Sequence, residues 1–358
     1  KLVYRVRRFD PADIARWMRR DLTSSRLAES PEEHQAEFIP ISGRIREVEV
    51  KLPPREVVER YDNMDEYYIC RATLDDGSPA IVATSLVPRA WPRGMPIDER
   101  FAADGFFLKT ADERDGRPQL LFIAPRIAWR PERIDPAMEV NFGKVLLGDA
   151  GMDVGLLDDV QDRAAIGEKE RETFYQMLWA AGKSTPSHLA GFARDNLEAM
   201  IGDWQSQRAA VSDRVKEMEA ALKDFSGTPA QRERVEAALE KAKRQLIGLG
   251  HVIKKAEKKQ FSVVPLFNDP ERTRGEIVAL EGTARRAVRI EVARPGVVEQ
   301  PNADILARFG IDHYWEMEIF TDDSQDNPIV FCVRDLPEGF PTGERINEPV
   351  RIAGFFFK

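Results

Sequence analysis

The chain has 358 residues, more than one ordinary domain holds and enough for two or three. Its 53 Lys and Arg against 61 Asp and Glu leave a net charge of −8, which argues against a sequence-independent grip on nucleic acid, because such a grip needs a basic face to displace counterions. Two cysteines, Cys70 and Cys332, cannot build a disulfide framework or a multi-cysteine metal site, and no apolar run reaches the roughly 18–20 residues that span a bilayer.

In chain order, residues 1–35 read as a helical lead and residues 36–133 as a mainly β segment. That segment opens on the strand "GRIREVEV", continues through a short amphipathic helix, "PREVVERY", and then the strands "EYYICRATL" and "AIVATSLV". A further strand ends in "GFFLK" (105–109), and after the polar turn "ADERDGRP" comes a last β-like run, "LLFIAPRIAWRP". Residues 134–190 read as a helical connector, with two short packed helices expected in 153–183.

Residues 191–260 carry a stricter pattern. Leu197, Ile201, Trp204, Arg208, Val211, Val215, Met218, Leu222 and Phe225 alternate steps of four and three, and only Arg208 is polar. Val235, Leu239, Ala242, Leu246, Leu249, Ile253 and Ala256 repeat the same spacing. Between the two runs, Gly227 can stop a helix, Thr228 can cap the next, Pro229 suits its first position and Gln231 can close a capping box. The spacing predicts an antiparallel coiled-coil hairpin, an arm about 40 Å long at about 1.5 Å per residue. Arg208 is expected to snorkel past a second helix thinned by Gly248 and Gly250.

Residues 261–358 return to β, and they repeat the first β segment. "GFFFK" (354–358) answers "GFFLK" at an offset of 249 residues, as do Pro79/Pro328, Pro88/Pro337, Pro92/Pro341 and Gly94/Gly343. Upstream the offset is 247, which sets Tyr67 and Tyr68 against Tyr314 and Trp315, and Asp75-Asp76 against Asp322-Asp323. The change falls between "DDGSP" and "DDSQDNP", a hairpin turn where insertions are cheapest. The expected architecture is an α+β multidomain chain in which a helical module separates two duplicated small β-barrels. Five short strands and one helix suit an OB-like barrel, with an SH3-like barrel as the alternative. GFF(L/F)K is then the penultimate strand, with alternate aromatics packed inward and glycine at a barrel corner. The second copy ends before its counterpart of "LLFIAPRIAWRP", so it is expected to lack its closing strand.

Candidate chemistry is sparse. The sequence holds no GxSxG, HExxH, P-loop or CxxC pattern, and His34, His188, His251 and His313 are scattered without metal-ligand spacing. Asp322, Asp323 and Asp326 admit a calcium reading, but a polar hairpin turn explains them better. No catalytic residue, cofactor or metal site is assigned. OB barrels bind single strands by stacking bases on aromatics with basic residues between them. The candidate binding surface on that logic is Tyr67, Tyr68 and Trp91 in the first copy, with Arg285, Arg286, Tyr314 and Trp315 in the second. The acidic balance of both copies weighs against nucleic acid.

The runs "FYQMLWAAG", "VVPLFNDPERTRGEIVALEGTARRAVRIEV", "GFFFK" and "IAPRIAWRP" resemble a group of uncharacterised planctomycete envelope proteins with tandem OB-like units. That resemblance implies a membrane-anchored envelope location with this region outside the bilayer, any membrane segment lying beyond it, and no known activity. The functional expectation is a non-enzymatic envelope scaffold or protein-interaction module, binding other proteins or envelope components without a cofactor. Single-stranded nucleic-acid binding and a cytoplasmic home are the alternatives.

Overall fold

A computed structural model describes residues 1–59, 64–114, 116–297 and 299–358, except for the side chains of residues 57 and 112–114. The chain forms two compact units, residues 1–180 with 293–312, and residues 181–292 with 313–358.

The first unit opens with three short helices, α1 (Leu2–Val6), α2 (Pro11–Trp17) and α3 (Ser24–Glu29). Strand β1 (Phe38–Lys51) leads through α4 (Arg55–Val58) to β2 (Tyr67–Leu74) and β3 (Pro79–Thr84). The end of the expected "PREVVERY" helix, from Arg60 on, lies outside the described residues. A 19-residue strand, β4 (Pro96–Arg114), turns into β5 (Arg117–Ala124), and a short β6 (Ala128–Trp129) follows. The order β1-β2-β3-β5-β4 closes because β4 pairs back onto β1, and β3 runs parallel to β5. The result is a closed five-strand barrel. Alternation fills it: Ile45, Val48, Cys70, Val82, Phe107 and Phe122 are fully buried. Burial pushes the Cys70 thiol up to about 12, as suits a packing cysteine.

The "GFFLK" strand splits its aromatics between two sides. Phe107 points into the barrel against Phe122, at 5.5 Å between ring centres. Phe106 points outward, where Phe38 meets it edge-on and the residues of α1 and α2 cover it. Gly105 does not mark a backbone corner. A side chain there would press on Ile41 and Phe122, so packing selects the glycine.

After the barrel come α5 (Phe142–Asp149), a 3₁₀ turn over Val154–Asp159 and α6 (Glu168–Ala181), where two helices were expected. Helix α11 (Ala303–Phe309) also belongs to this unit, although in sequence it lies between strands of the second copy. Arg171 of α6 clamps Asp304 with two hydrogen bonds of 2.6 and 3.1 Å, and Arg308 grips Glu172 in the same bidentate manner.

The second unit begins with two long helices, α7 (Pro186–Lys223) and α8 (Pro229–Glu257), folded back on each other. The turn follows its sequence signals. Thr228 Oγ1 accepts the Gln231 amide, and the Gln231 side chain returns to the Thr228 amide at 2.9 Å. Val215, Leu239 and Ala242 are buried between the helices, with Val211, Met218 and Leu222 against them, and Lys243 pairs with Glu219 across the seam at 2.9 Å. Of the residues spaced four and three, only Arg208 is exposed, and its Nε sits 3.6 Å from where a Gly250 side chain would begin. The guanidinium escapes past the glycine. Arg208→Leu should therefore leave the unit unchanged or stabilise it by about 1 kcal/mol in urea denaturation. A loss of several kcal/mol would mean that the charge itself is needed.

Short helices α9 (Val264–Asn268) and α10 (Pro270–Thr273) lead into β7 (Ile277–Glu291), β8 (His313–Phe320), β9 (Ile329–Val333) and β10 (Glu348–Phe355). These form a curled four-strand half-barrel in the order β10-β7-β8-β9. Its inner face meets the base of the helical pair through Leu197, Trp204, Val252, Val263, Val278 and Leu280.

The sequence repeat recurs in the hydrogen-bond register. Ile39 faces Gly105 in the barrel, and Val278 faces Gly354 in the half-barrel. Both first strands carry a bulge at the same place, Ile45/Glu47 and Ala284/Arg286. The Gly94 amide donates to the Val48 carbonyl at 2.8 Å, and the Gly343 amide to the Ala287 carbonyl at 2.7 Å. One pair is kept with its charges exchanged. Glu47 lies 3.5 Å from Arg71 across β1 and β2, whereas Arg286 lies 3.6 Å from Glu318 across β7 and β8.

Candidate functional site

The outer face of β1, β2 and β3 in the closed barrel holds a cleft of about 490 Å³. Alternation along β2 sends Cys70, Ala72 and Leu74 inward, and so turns Arg71 and Thr73 to solvent. The bulge in β1 leaves Arg46 unpaired in the ladder and facing the same side. The turn after β2 forms one wall, where Gly77 takes a left-handed φ of 82° and the Asp76 carboxylate accepts the Ser78 amide at 2.9 Å. Arg117, at the start of β5, brings its guanidinium over Gly77.

Among the described residues, three arginines from three elements thus line one cleft with a single carboxylate, Asp76. Burial would lift Asp76, but hydrogen bonds from Ser78 and Ser24 and the Arg117 charge outweigh it and hold the group below its ordinary range. Arg46 meets Asp98, an aspartate that also takes Arg44 at 2.6 Å, and Arg71 leans on Glu47. Both partners are half exposed, where ion pairs hold weakly. At the positions corresponding to Arg46 and Arg71, the half-barrel has Arg285 and Glu318.

The expected aromatic surface does not assemble. Trp91 is 2% exposed, packed edge-on against Trp129 at 6.1 Å, and presents no face to a ligand. Its place in the loop after β3 tucks it under the barrel end, among prolines that read as exposed in the sequence. Tyr67 packs against the cluster formed by Val3, Val6 and Ile14, and the Arg93 guanidinium covers the Tyr68 ring at 5.1 Å. In the second unit, Tyr314 and Trp315 are half-buried on β8 opposite Ile290 and Arg289. Arg285 is exposed on β7, and Arg286 is held by Glu316 and Glu344 at 2.6 and 2.7 Å.

Two buried polar hubs had no sequence signal. In the first unit, Asp153 is 3% exposed and accepts the amides of Trp129 and Gly155 at 2.8 and 2.9 Å, with Arg126 Nε at 2.6 Å. Nearby, the buried Glu99 accepts the Trp129 indole at 2.8 Å. Burial raises both carboxyls against these partners. Raised carboxyls can mark catalytic sites, but both are buried, and each is tied to Trp129, so they hold the barrel end and the 152–176 segment together.

In the second unit, the buried Lys255 pairs with Asp322 and, at 3.1 Å, with Asp323. Asp323 also accepts Ser262 at 2.8 Å and Thr321 at 3.0 Å. These contacts occupy Asp322 and Asp323, two of the three aspartates of the calcium reading, and no group of three or more metal-ligating side chains occurs among the described residues. Burial would lift Asp323, but hydrogen bonds from Ser262 and Lys255 outweigh it and hold it below its ordinary 3.8. A carboxylate held low in the fold adds stability above its ordinary pKa, and that stability is lost as pH falls through the folded value. The stability gap between wild type and Asp323→Asn should therefore be largest at neutral pH and narrow at a pH below the ordinary 3.8. Urea midpoints at the two pH values measure it, and a gap independent of pH would remove Asp323 from the acid response.

No protein family, curated protein or solved structure matches this chain.

Proposed function

We propose that this protein is a non-enzymatic interaction module, in which an OB-like barrel, an OB-like half-barrel and a coiled-coil hairpin present binding surfaces to other proteins or envelope components. The observation that carries this is the strand order β1-β2-β3-β5-β4 closing on β1 with β3 parallel to β5, joined to an open cleft on the β2–β3 side. That is the side on which OB barrels take their ligands. The usual OB helix between the third and fourth strands is absent among the described residues, and the helix between β1 and β2 takes a different place. The heptad spacing and the buried seam of α7 and α8 support the coiled-coil reading. The envelope location rests on the sequence resemblance alone. No described helix is long and apolar enough to cross a membrane.

Single-stranded nucleic acid is the competing ligand, and the packing of Trp91, Tyr67 and Tyr68 speaks against it, because stacking needs open aromatic faces. A titration with labelled oligonucleotides over a salt series decides between them. The interaction-module reading expects no binding at micromolar protein. Binding at that level, weakening steeply with salt, would replace it.

A further inference from the structure

We infer that the cleft on the outer face of the first barrel is an oxyanion site that takes a phosphate or sulfate ester between Arg71 and Arg117. The inference rests on reading that barrel as a binding module.

Arg46, Arg71 and Arg117 come from β1, β2 and β5, and none is adjacent to another in sequence. Their convergence on one concavity is a product of the fold, since a bulge aims the first and strand alternation the second. Guanidinium is the side chain best matched to tetrahedral oxyanions, because its fork donates two parallel hydrogen bonds. The present partners are exchangeable. Glu47 stands 3.5 Å from Arg71, at the long end for an ion pair and half exposed, while Asp98 divides itself between Arg44 and Arg46. A dianion entering between Arg71 and Arg117 would meet an Arg71 guanidinium held only at 3.5 Å by a half-exposed partner. Among the described residues Asp76 is the one opposing charge in the lining, and its carboxylate is turned to the hydroxyls and amide of Ser78 and Ser24.

The same geometry limits the ligand. At about 490 Å³ the cleft lies in the range of small-molecule sites. No aromatic side chain lines it among the described residues, so there a nucleobase would find no aromatic face to stack on. The half-barrel supplies an internal contrast. Its counterpart of Arg71 is Glu318, which together with Glu316 pairs with Arg286, so the guanidinium of Arg71 has no equivalent at that position.

The test is calorimetric titration of the whole protein with pyrophosphate and with inorganic sulfate, at about 20 mM salt so that screening stays weak. The expected result is saturable binding of one pyrophosphate, weaker for sulfate. Arg71→Ala with Arg117→Ala should weaken it about 10-fold or more, the worth of one charge-assisted hydrogen bond. Arg71→Lys should restore part of the loss, and Arg285→Ala in the second unit should change nothing. Thermal melts of each variant check that the barrel is intact. Absence of saturable binding by wild type, or equal binding by the double variant, overturns the site. Tighter binding of an oligothymidylate than of pyrophosphate, with the same dependence on Arg71 and Arg117, also overturns it and makes the face a nucleic-acid track. Loss of pyrophosphate binding alone leaves the interaction-module reading untouched, because that reading fails only in the oligonucleotide titration.

Discussion

Asp153→Ala should cost the first unit about 3–5 kcal/mol, the range for breaking a buried ion pair from one side. Three donors converge on this carboxylate: the Trp129 and Gly155 amides and the Arg126 side chain. Alanine leaves the two amides in a buried space without an acceptor and removes the charge that answers Arg126, whose side chain is 31% exposed, and each buried unpaired donor carries its own desolvation penalty. Asp153→Asn separates the parts of the effect. It keeps an oxygen for the two amides and removes the charge that answers Arg126, so its loss should be about half that of alanine. Urea unfolding followed by tryptophan fluorescence reads both, since Trp91 and Trp129 pack beside the hub. Equal losses for the two variants would make Arg126 the only partner that matters. A loss below about 1 kcal/mol for alanine would mean that the segment carrying Asp153 can detach without disturbing the barrel.

Gly43→Ala should be as damaging, for a steric reason. Gly43 pairs with Leu74 of β2 on one side and with Phe101 of β4 on the other, at the point where β1 bends from one pairing into the next. An added Cβ would lie 2.7 Å from the Leu74 Cα, with the Thr73 carbonyl oxygen closer still. Those are backbone atoms of a paired strand, so relief requires moving β2 and not a flexible side chain. A loss of about 4 kcal/mol or more is expected, at the far end of single-substitution effects. Gly94→Ala is the control. It has left-handed φ and open space around it, so only the conformational cost of about 1–2 kcal/mol should appear. If Gly43→Ala costs no more than Gly94→Ala, the strand crossing is looser than its geometry indicates. Gly282→Ala tests the same position in the half-barrel, where the Cβ would meet Ile319 Cγ2 at 2.9 Å and the Phe320 carbonyl more closely.

What could be read from residues alone depended on how local the determinants were. The strand sequence and the capped turn at Thr228 depend on residues a few positions apart or on an internal repeat, and the heptad spacing folded about that turn set Arg208 against Gly250 across the hairpin. The repeat also placed Gly105 and Gly354 in equivalent strands, although the reason for a glycine there, pressure from Ile41 and Phe331, needed coordinates. The position of α11 was not legible. Its clamps join Arg171 to Asp304 and Glu172 to Arg308 over more than 130 residues, and ordinary surface charges in a helix carry no mark of their partners. Trp91 misled for a related reason. A tryptophan between prolines in a loop looks exposed until Trp129, 38 residues later, is brought against it. The arginine cleft lay between these extremes. Strand alternation predicts that Arg71 and Thr73 share a face, but only barrel closure brings Arg117 to them.

The exchanged pair, Glu47 with Arg71 in one copy and Arg286 with Glu318 in the other, limits the route by which two related sequences can diverge. Changing the sign of one member first puts like charges opposite each other, and changing both at once is a rarer event. On a half-exposed sheet face the like-charged intermediate costs only about 1 kcal/mol or less. A lineage holding a few kcal/mol in reserve can therefore pass through it in single steps, in either order. What descends unaltered is the requirement that this rung of the ladder be balanced, while the sign on each strand is free to drift. Such a rung can exchange the sign carried by each strand without disturbing the fold beneath it, because the pair stays neutral in either arrangement.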